Sequence, residues 1–409
     1  MAAEVYFVDM RARSGQNLLD KLGRLFERAG FNELIEPKDF VALKLHFGER
    51  GNLAHIRPQF LRRLVDRVKA RGGRPFLTDT NTLYVGSRAN AVDHLETAIE
   101  NGFDYAVVGA PLIIADGLNG KDYISVDIGQ RHFENVKIGS ALYHADVLLA
   151  ITHFKGHEIT GFGGVIKNLG MGSGSRSGKQ MMHSDVLPKV KEEKCIGCEK
   201  CVEWCPAQAI TVLEVEGREV VVDQDLARGE SEKVVTDESG KGAVDHSNRK
   251  PKKKPTKKAI IDRDKCIGCG ECSVTCTTQA IRISWKTTPQ TLQEKMVEYA
   301  LGVLKNKAGK AGFISFLSNI SPDCDCFGWN DLPIVPDIGI LASRDPVAID
   351  QAAVDLVNQQ TVLAGSVIGG LPKGEDYFRA VHPDVDWTPQ LAYGEEIGLG
   401  SRQYRLIRI

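Results

Sequence analysis

The segment Asp146–Thr152 of this 409-residue chain reads DVLLAIT and is a clear strand signal in the sequence. Apolar residues that follow one another without alternation predict a strand that is buried on both faces of a sheet. Similar short runs occur at Glu4–Asp9, Asp39–Phe47 and Arg74–Asp79. We therefore expect a sheet whose strands are covered by helices on both sides.

Segments with helical periodicity lie between and after these strands. In the first half of the chain they are Asn17–Arg28, Arg57–Ala70 and Asn90–Asn101. In the second half, helices are predicted at Thr288–Asn306 and Pro346–Gln359, and strands at Gly312–Leu317 and Asp337–Leu341. Strands that alternate with helices indicate an α/β fold with a mostly parallel sheet.

The composition limits the class of protein. The chain has 52 Lys+Arg against 53 Asp+Glu, a formal net charge of −1, and 42% hydrophobic residues. These values argue against a generally basic nucleic-acid binder and against global disorder, and the length allows two or three domains. We see no signal segment and no run of eighteen apolar residues, so we expect a cytoplasmic protein without a membrane span.

Eight of the ten cysteines lie in two copies of the spacing C-x2-C-x2-C-x3-C. This is the spacing of a bacterial two-cluster ferredoxin, in which the fourth cysteine of each run binds the other cluster. We therefore predict an inserted α+β ferredoxin-like domain with two [4Fe–4S] clusters. The predicted ligand sets are Cys195, Cys198, Cys201 and Cys276 for the first cluster, and Cys266, Cys269, Cys272 and Cys205 for the second.

The residues that follow the two motifs are also alike. The first motif continues as PAQAI over residues 206–210 and the second as TTQAI over residues 277–281, which indicates an internal duplication. Thr277 replaces Pro206 in the second copy, but neither residue is a ligand. The alternative is a pair of structural zinc sites, which usually combine two separated C-x2-C pairs rather than runs of four cysteines.

The two motifs divide the chain into three parts. We expect an α/β domain made of residues 1–190 and 286–409, with the ferredoxin-like domain inserted at residues 191–285. A polar segment at about residues 224–258 has no aromatic residue and predicts a disordered insertion. Seven of the ten residues in Arg249–Lys258 are basic, which suits a solvated tip or a docking site for an acidic electron-transfer partner, a membrane surface or nucleic acid.

A second site is predicted in the α/β domain, where the tract HFKGHEITGFGGVIKNLGMG covers residues 153–172. Because ligands of open α/β sheets gather at the carboxyl ends of strands, we expect this tract to bind an anion or, through its imidazoles, a metal. The alternative is a glycine-rich connection with hydrogen-bonded histidines. The candidate catalytic residues are His153, Lys155, His157 and Lys167, and the candidates for binding a further ligand are Lys44, His46, Gly163, Gly164 and Asn168.

The remaining two cysteines form the motif Asp323-Cys324-Asp325-Cys326. Two thiols this close could help to bind a cofactor or metal or act as a redox pair, and the alternative is a pair of buried structural cysteines. We expect the neighbouring aspartates to raise the pKa of both thiols. Further along, Asp345 followed by Pro346 predicts the start of a helix.

Four stretches before and after the two four-cysteine motifs resemble a known protein family. They are Val41–Gly48, His153–Gly172, Asp323–Cys326 and Asp337–Asp350. In these stretches the chain resembles the DUF362 family, whose members are uncharacterised Fe–S center proteins. The resemblance implies Fe–S binding and a redox role but no particular reaction. Members often carry a cysteine after the Gly-Met-Gly stretch, where this chain has Ser173, so a thiol role is excluded at that position.

These observations support three functions. The first is an oxidoreductase in which the clusters exchange electrons with a redox partner protein and with a small anionic substrate held by the lysines, while a histidine moves the proton. The second is a non-catalytic ferredoxin-like electron carrier or docking subunit of a redox complex. The third is an Fe–S sensor whose basic run contacts nucleic acid. We favour the first and do not expect nucleic acid to be the partner.

Overall fold

A computed structural model of the chain describes residues 2–84, 86–183, 187–205, 207–214, 257–266, 270–282 and 287–409. The chain forms two compact units. The larger unit consists of residues 1–186 and 285–409, and the smaller unit of residues 187–284. The insertion predicted at about residues 224–258 lies outside the described residues, except for its last two lysines.

The strands differ widely in length. Those in the described residues are, in chain order, β1 (Ala3–Asp9), β2 (Phe40–Lys44), β3 (Arg74–Asp79), β4 (Leu112–Ile114), β5 (Tyr123–Asp127), β6 (Asn135–Gly139), β7 (Val147–His153), β8 (Lys155–His157), β9 (Gly161–Gly163), β10 (Lys189–Val190), β11 (Ile210–Glu214), β12 (Lys257–Ile261), β13 (Ile281–Arg282), β14 (Ala311–Leu317), β15 (Gly339–Ser343) and β16 (Tyr404–Arg408).

The helices range from one turn to more than four turns. The described ones are α1 (Leu18–Arg28), α2 (Pro58–Ala70), α3 (Ala91–Glu100), α4 (Tyr105–Val108), α5 (Ser140–His144), α6 (Val165–Ser173), α7 (Arg176–His183), α8 (Lys200–Glu203), α9 (Glu271–Thr275), α10 (Pro289–Leu304), α11 (Pro346–Asn358), α12 (Tyr377–Val381) and α13 (Thr388–Glu396). Short 3-10 helices cover Asn32–Leu34 and Glu192–Lys194. Among the described helices we find none with both the length and the apolar character needed to cross a membrane.

Eight strands form the main sheet of the larger unit, in the order β16-β1-β15-β14-β7-β2-β3-β4. The pairs from β14 through β7, β2 and β3 to β4 are all parallel, as is the pair of β1 and β16. Only β15 runs antiparallel to its neighbours in this sheet, β1 and β14. The α/β fold with a mostly parallel sheet is therefore confirmed.

The central strand β7 is buried along its whole length. Its side chains alternate between two hydrophobic cores. Leu148 and Ala150 pack in the core that includes residues of α6, α10 and α11, whereas Leu149 and Ile151 pack in the core that includes residues of α1 and α2. Helices cover both faces of the sheet, and this explains why the DVLLAIT run contains no alternation.

The predicted strands and helices agree best with the observed ones where they are long. Strand β3 has the predicted bounds, and the side chain of Asp345 accepts hydrogen bonds from the N–H groups of Val347 and Ala348 at 2.9 Å, which confirms the predicted start of α11. Strand β2 ends at Lys44, before the predicted end at Phe47. The pattern does not predict β4 to β6, β8, β9 or β16, because strands of three to five residues show too few positions for a period.

The smaller unit repeats one local conformation in its two cysteine motifs. Helix α8 follows Glu199 and α9 follows Gly270, and both preceding residues have a left-handed backbone. Gln208 and Gln279, which also occupy matching positions, have φ angles of 48° and 51°. Strands β10 and β13 form one antiparallel pair, and β11 and β12 form another. The duplication seen in the sequence is thus present in the backbone.

Helices α6 and α10 cross closely at Gly170. A Cβ atom at this position would lie 2.0 Å from the carbonyl oxygen of Met296 on α10. We expect Gly170→Ala to lower the free energy of unfolding by about 1–3 kcal/mol, because two helix backbones would have to move apart. Calorimetry should detect this as a lower Tm.

A loss of stability in Gly170→Ala would indicate the close helix crossing, since alanine in place of glycine normally stabilises a helix by about 1 kcal/mol. Gly365→Ala is the control, because a Cβ atom there meets only Leu332 Cδ2, at 3.4 Å. A Tm of Gly170→Ala equal to that of the unaltered protein would contradict the close crossing.

Candidate functional site

A cavity of about 260 Å³ lies at the carboxyl end of the parallel strands in the larger unit. Three neighbouring strands contribute their last residues to its wall, which are Lys44 from β2, Asp79 from β3 and His153 from β7. The tract after β7, which folds as β8, β9 and the first turns of α6, adds further lining residues. Ligands of open α/β sheets bind at this edge.

Most of the predicted site residues of the α/β domain line this cavity. They are Lys44, His46, His153, Lys155, His157, Gly163, Gly164, Lys167, Asn168 and Cys326. Cys324 is buried beside them, with its Sγ 2.8 Å from Cys326 Sγ. The eight cysteines of the repeated motifs belong to the smaller unit instead.

Lys44 is fully buried and held by two side chains. Its Nζ lies 2.9 Å from Asp79 Oδ1 and donates to Asn168 Oδ1 at 2.8 Å. Burial lowers the pKa of Lys44, and the charge of Asp79 offsets part of this effect. Burial would raise the pKa of Asp79, but Lys44 and the histidines and lysine around it hold that pKa below its ordinary value.

Sequence reasoning missed Asp79 as a site residue. The signal was present, because Asp79 is the last residue of a predicted strand, and the carboxyl end of that strand is where a ligand site is expected.

Arg88 is the second buried cation of the wall after Lys44, and sequence reasoning missed it. Its Nη1 lies 3.0 Å from His46 Nε2, its Nε donates to Glu49 Oε2 at 3.2 Å, and its Nη2 donates to the hydroxyl of Tyr84. Burial, and then the charge of Arg88, lowers the pKa of His46. His46 is therefore neutral at pH 7, and its Nδ1 accepts from the N–H of Gly48 at 3.0 Å.

His153 forms a buried ion pair with Asp325. Its Nδ1 lies 2.8 Å from Asp325 Oδ2, and its Nε2 lies 2.9 Å from the carbonyl oxygen of Ser318. Burial would raise the pKa of Asp325, but His153 and Lys155 hold it below its ordinary value. In this arrangement both nitrogens of His153 are engaged, and the ring anchors the loop that contains Asp325.

His157 is a neutral imidazole at the cavity wall. Its Nδ1 accepts from the N–H groups of Ile159 and Thr160 at 3.1 and 3.3 Å. Burial, and then the charge of Lys167, lowers the pKa of His157 well below its ordinary value. The neutral ring therefore carries its hydrogen on Nε2, and this N–H can serve as a donor to a bound acceptor.

Cys326 has a strongly perturbed thiol. Cys324 Sγ donates to Cys326 Sγ across 2.8 Å, and His46 Nε2 lies 3.5 Å from Cys326 Sγ. The hydrogen bond from Cys324 lowers the pKa of Cys326 well below its ordinary value, Lys167 lowers it further, and the same hydrogen bond raises the pKa of Cys324. The expectation that the aspartates raise both pKa values is wrong for Cys326, because the Asp325 carboxylate is paired with His153 and Lys155.

The charges around the cavity are mainly positive. The cationic side chains of the lining are Lys44, Arg88, Lys155, Lys167 and Lys179, and its carboxylates are Asp79 and Glu158. Burial lowers the pKa of Lys179 to about 8, so that this lysine is still largely protonated at pH 7. Asp79, Glu49 and Asp325 pair with Lys44, Arg88 and Lys155. The remaining lining cations, Lys167 and Lys179, favour an anionic ligand.

The smaller unit contains two small cavities lined by cysteines. One is lined by Cys195, Cys198, Cys201 and Cys276, and the other by Cys205, Cys266 and Cys272. Cys269 lies outside the described residues. Each cavity combines cysteines from both motifs. The N–H groups of Ala209 and Ala280 donate to Cys205 Sγ and Cys276 Sγ, each at 3.2 Å.

In the described part of the chain, no group of three or more His, Cys, Asp or Glu side chains is arranged to hold a single metal ion. A mononuclear site such as zinc requires ligands that converge on one point. The four thiolates of a cubane bind four different irons and lie farther apart. Cysteines spread around a small cavity are therefore compatible with a cluster.

These features define an α/β protein with a cation-lined cavity at the carboxyl edge of a mostly parallel sheet. A model of the family described as "Domain of unknown function (DUF362)" matches residues 41–355. The chain belongs to this family. No curated protein matches it.

Among solved structures, the chain is similar to the lactate racemase apoprotein from Thermoanaerobacterium thermosaccharolyticum. The two are 16% identical with a TM-score of 0.30, and the match covers 40% of this chain and 39% of that chain. The matched part is too small and too loosely superimposed to indicate a shared activity.

The ion pair of Lys44 and Asp79 gives a test of the buried charges. We expect Lys44→Met to lower the free energy of unfolding by about 3–5 kcal/mol, because it leaves a buried carboxylate without its nearest cation. Urea unfolding followed by circular dichroism should measure the loss. The double variant Lys44→Met/Asp79→Asn should recover part of the stability, and a double variant no more stable than Lys44→Met would contradict this account.

Proposed function

We propose that this protein binds two [4Fe–4S] clusters in its smaller unit and acts in electron transfer, with the cavity of the larger unit as the site for a small anionic substrate. The observation that carries the clusters is that cysteines from both motifs line each of the two small cavities. Two independent metal sites formed by one motif each would not mix the motifs in this way.

The residues around the small cavities suit this role. Burial raises the pKa of Cys201 to about 11, so this thiol stays protonated at pH 7 unless a metal displaces the proton. The backbone donors to Cys205 and Cys276 are of the kind that tune the potentials of Fe–S clusters. When bound, such clusters supply one-electron transfer.

The cavity of the larger unit supplies groups that can bind an anion. The ammonium groups of Lys155 and Lys167 lie in its wall, and both are held in place: Lys155 Nζ donates to the carbonyl oxygen of His153 at 2.9 Å, and Lys167 Nζ to Cys324 Sγ at 3.7 Å. The neutral His157 offers an N–H beside them. A carboxylate or phosphate could be bound by the lysines, and the Nε2–H of His157 could donate a hydrogen bond to it.

The cluster assignment predicts a definite metal content. Protein purified without oxygen should contain about eight iron and about eight sulfide ions per chain. Cys195→Ala and Cys276→Ala should each remove the same signal from the electron paramagnetic resonance spectrum of the reduced protein, whereas Cys205→Ala should remove the other one. Cys324→Ala, whose thiol lies in the larger unit, is the control for iron content. Zinc in place of iron and sulfide would refute the clusters.

The substrate assignment predicts anion binding that depends on the cavity. At constant ionic strength, oxalate should raise the Tm of the clustered protein, by an amount that corresponds to about 2.7 kcal/mol when its concentration is a hundred times the Kd. Lys167→Met should remove this rise. The exposed Lys373→Met is the matched control for loss of one positive charge.

If oxalate and phosphate both fail to bind, or if Lys167→Met binds them as the unaltered protein does, the anion site is ruled out. The clusters would then serve a non-catalytic electron carrier.

A further inference from the structure

The two thiols of the Cys324-Asp325-Cys326 motif have different positions at the cavity. Cys326 is part of the cavity wall, whereas Cys324 is 1% exposed and lies behind it. Their sulfur atoms are 2.8 Å apart. A molecule that enters the cavity can therefore reach Cys326 first, and Cys324 can reach only what is bound to Cys326.

Each sulfur atom of the pair has a nitrogen neighbour. His46 Nε2 lies 3.5 Å from Cys326 Sγ, and Lys167 Nζ lies 3.7 Å from the neighbouring Cys324 Sγ. The hydrogen bond between the two thiols lowers the pKa of Cys326 and raises that of Cys324. Such a difference in pKa is typical of a dithiol in which one sulfur attacks as the thiolate and the other stays protonated until the second step.

The backbone between the two cysteines is held in place. The side-chain carboxylate of Asp325 is paired with His153 and Lys155. The backbone carbonyl oxygen of Asp325 accepts a hydrogen bond from the N–H of Glu49 at 2.9 Å. The two sulfur atoms are thus kept close by the surrounding structure, and little conformational freedom remains to be lost when a bond forms between them.

We propose that Cys324 and Cys326 form a redox-active dithiol–disulfide pair, with Cys326 as the attacking thiolate and Cys324 as the resolving thiol, and that this pair reacts with a small anionic disulfide. The anionic class follows from the excess of cations around the cavity that Cys326 faces.

The reaction balances in two exchange steps. The Cys326 thiolate attacks one sulfur of the disulfide RSSR, which breaks its S–S bond, forms a mixed disulfide at Cys326 and releases the thiolate RS⁻. Cys324 then loses its proton to that thiolate and attacks the Cys326 sulfur, which releases the second RS⁻. Proton uptake from water by this second thiolate gives two RSH and a Cys324–Cys326 disulfide. The protein has lost two electrons, and RSSR has gained them.

The return of the disulfide to the dithiol needs two electrons and two protons. Two clusters that each carry one electron would supply the electron pair, and this link alone rests on the proposed function. The exchange reaction itself does not require the clusters, so the two proposals can fail separately.

The experiment uses two disulfides of nearly equal size and opposite charge, 3,3′-dithiodipropionate and cystamine. Each is added to the clustered protein without oxygen, the free thiols are then blocked, and the peptide that carries Cys324 and Cys326 is identified by mass spectrometry. We expect dithiodipropionate to give the Cys324–Cys326 disulfide at least about tenfold faster than cystamine, because the cationic cavity attracts the dianion.

Single substitutions separate the roles of the two thiols. Cys324→Ser should stop at a mixed disulfide on Cys326 and release one thiol, and Cys326→Ser should react at least about tenfold more slowly because only the buried thiol of Cys324 remains. Lys167→Met should reduce the preference for dithiodipropionate over cystamine. Circular dichroism of each variant checks that it is folded.

Three results would overturn the proposal. They are the absence of an intramolecular disulfide in the unaltered protein, reaction of Cys326→Ser at the original rate, and faster reaction with cystamine. Iron content is measured on the same samples. A protein that forms the Cys324–Cys326 disulfide but contains no iron would contradict the proposed clusters and leave the dithiol pair intact.

Discussion

The buried carboxylate of Asp325 connects the parts of the cavity. It joins the end of β7, through His153 and Lys155, to the loop that follows β14 and carries both cysteines. A carboxylate in this position is stable because the imidazole of His153 and the ammonium group of Lys155 face it, since an isolated buried charge is strongly disfavoured. The histidine that starts the glycine-rich tract is therefore a structural partner of the thiol loop, and the positions of Cys324 and Cys326 depend on it.

Other buried charges of the cavity wall are balanced in the same way. Lys44 is paired with Asp79, and Arg88 with Glu49, so two of the buried cations are compensated inside the wall. Lys167 donates to Cys324 Sγ, next to Cys326, whose pKa is lowered. The wall thus contains ion pairs that stabilise the fold and, separately, a lysine next to two thiols. This second arrangement is the one that suits a reaction with an anion.

Long elements of the fold could be predicted from the sequence, and several short ones could not. The apolar run of β7 and the capped start of α11 carry strong local signals, which explains why both were found. Strands β8 and β9 have three residues each and are formed by pairing across a turn of the chain, so no local period reveals them. Of the site, the basic residues of the glycine-rich tract could be predicted, whereas Arg88 stands in a loop without a pattern. The motif that contains Asp325 was visible in the sequence, but its contact with His153 was not.

The sequence by itself determined the α/β class, the repeated cysteine spacing and the collection of polar residues after β7 that line a cavity, because each of these depends on residue type and local order. Only the tertiary structure decided which charges meet. His153 and Asp325 are 172 residues apart, and Lys44 and Asn168 are 124 apart. A side chain's protonation state depends on such distant neighbours and on burial, so the low pKa of Cys326 arises only when the chain is folded.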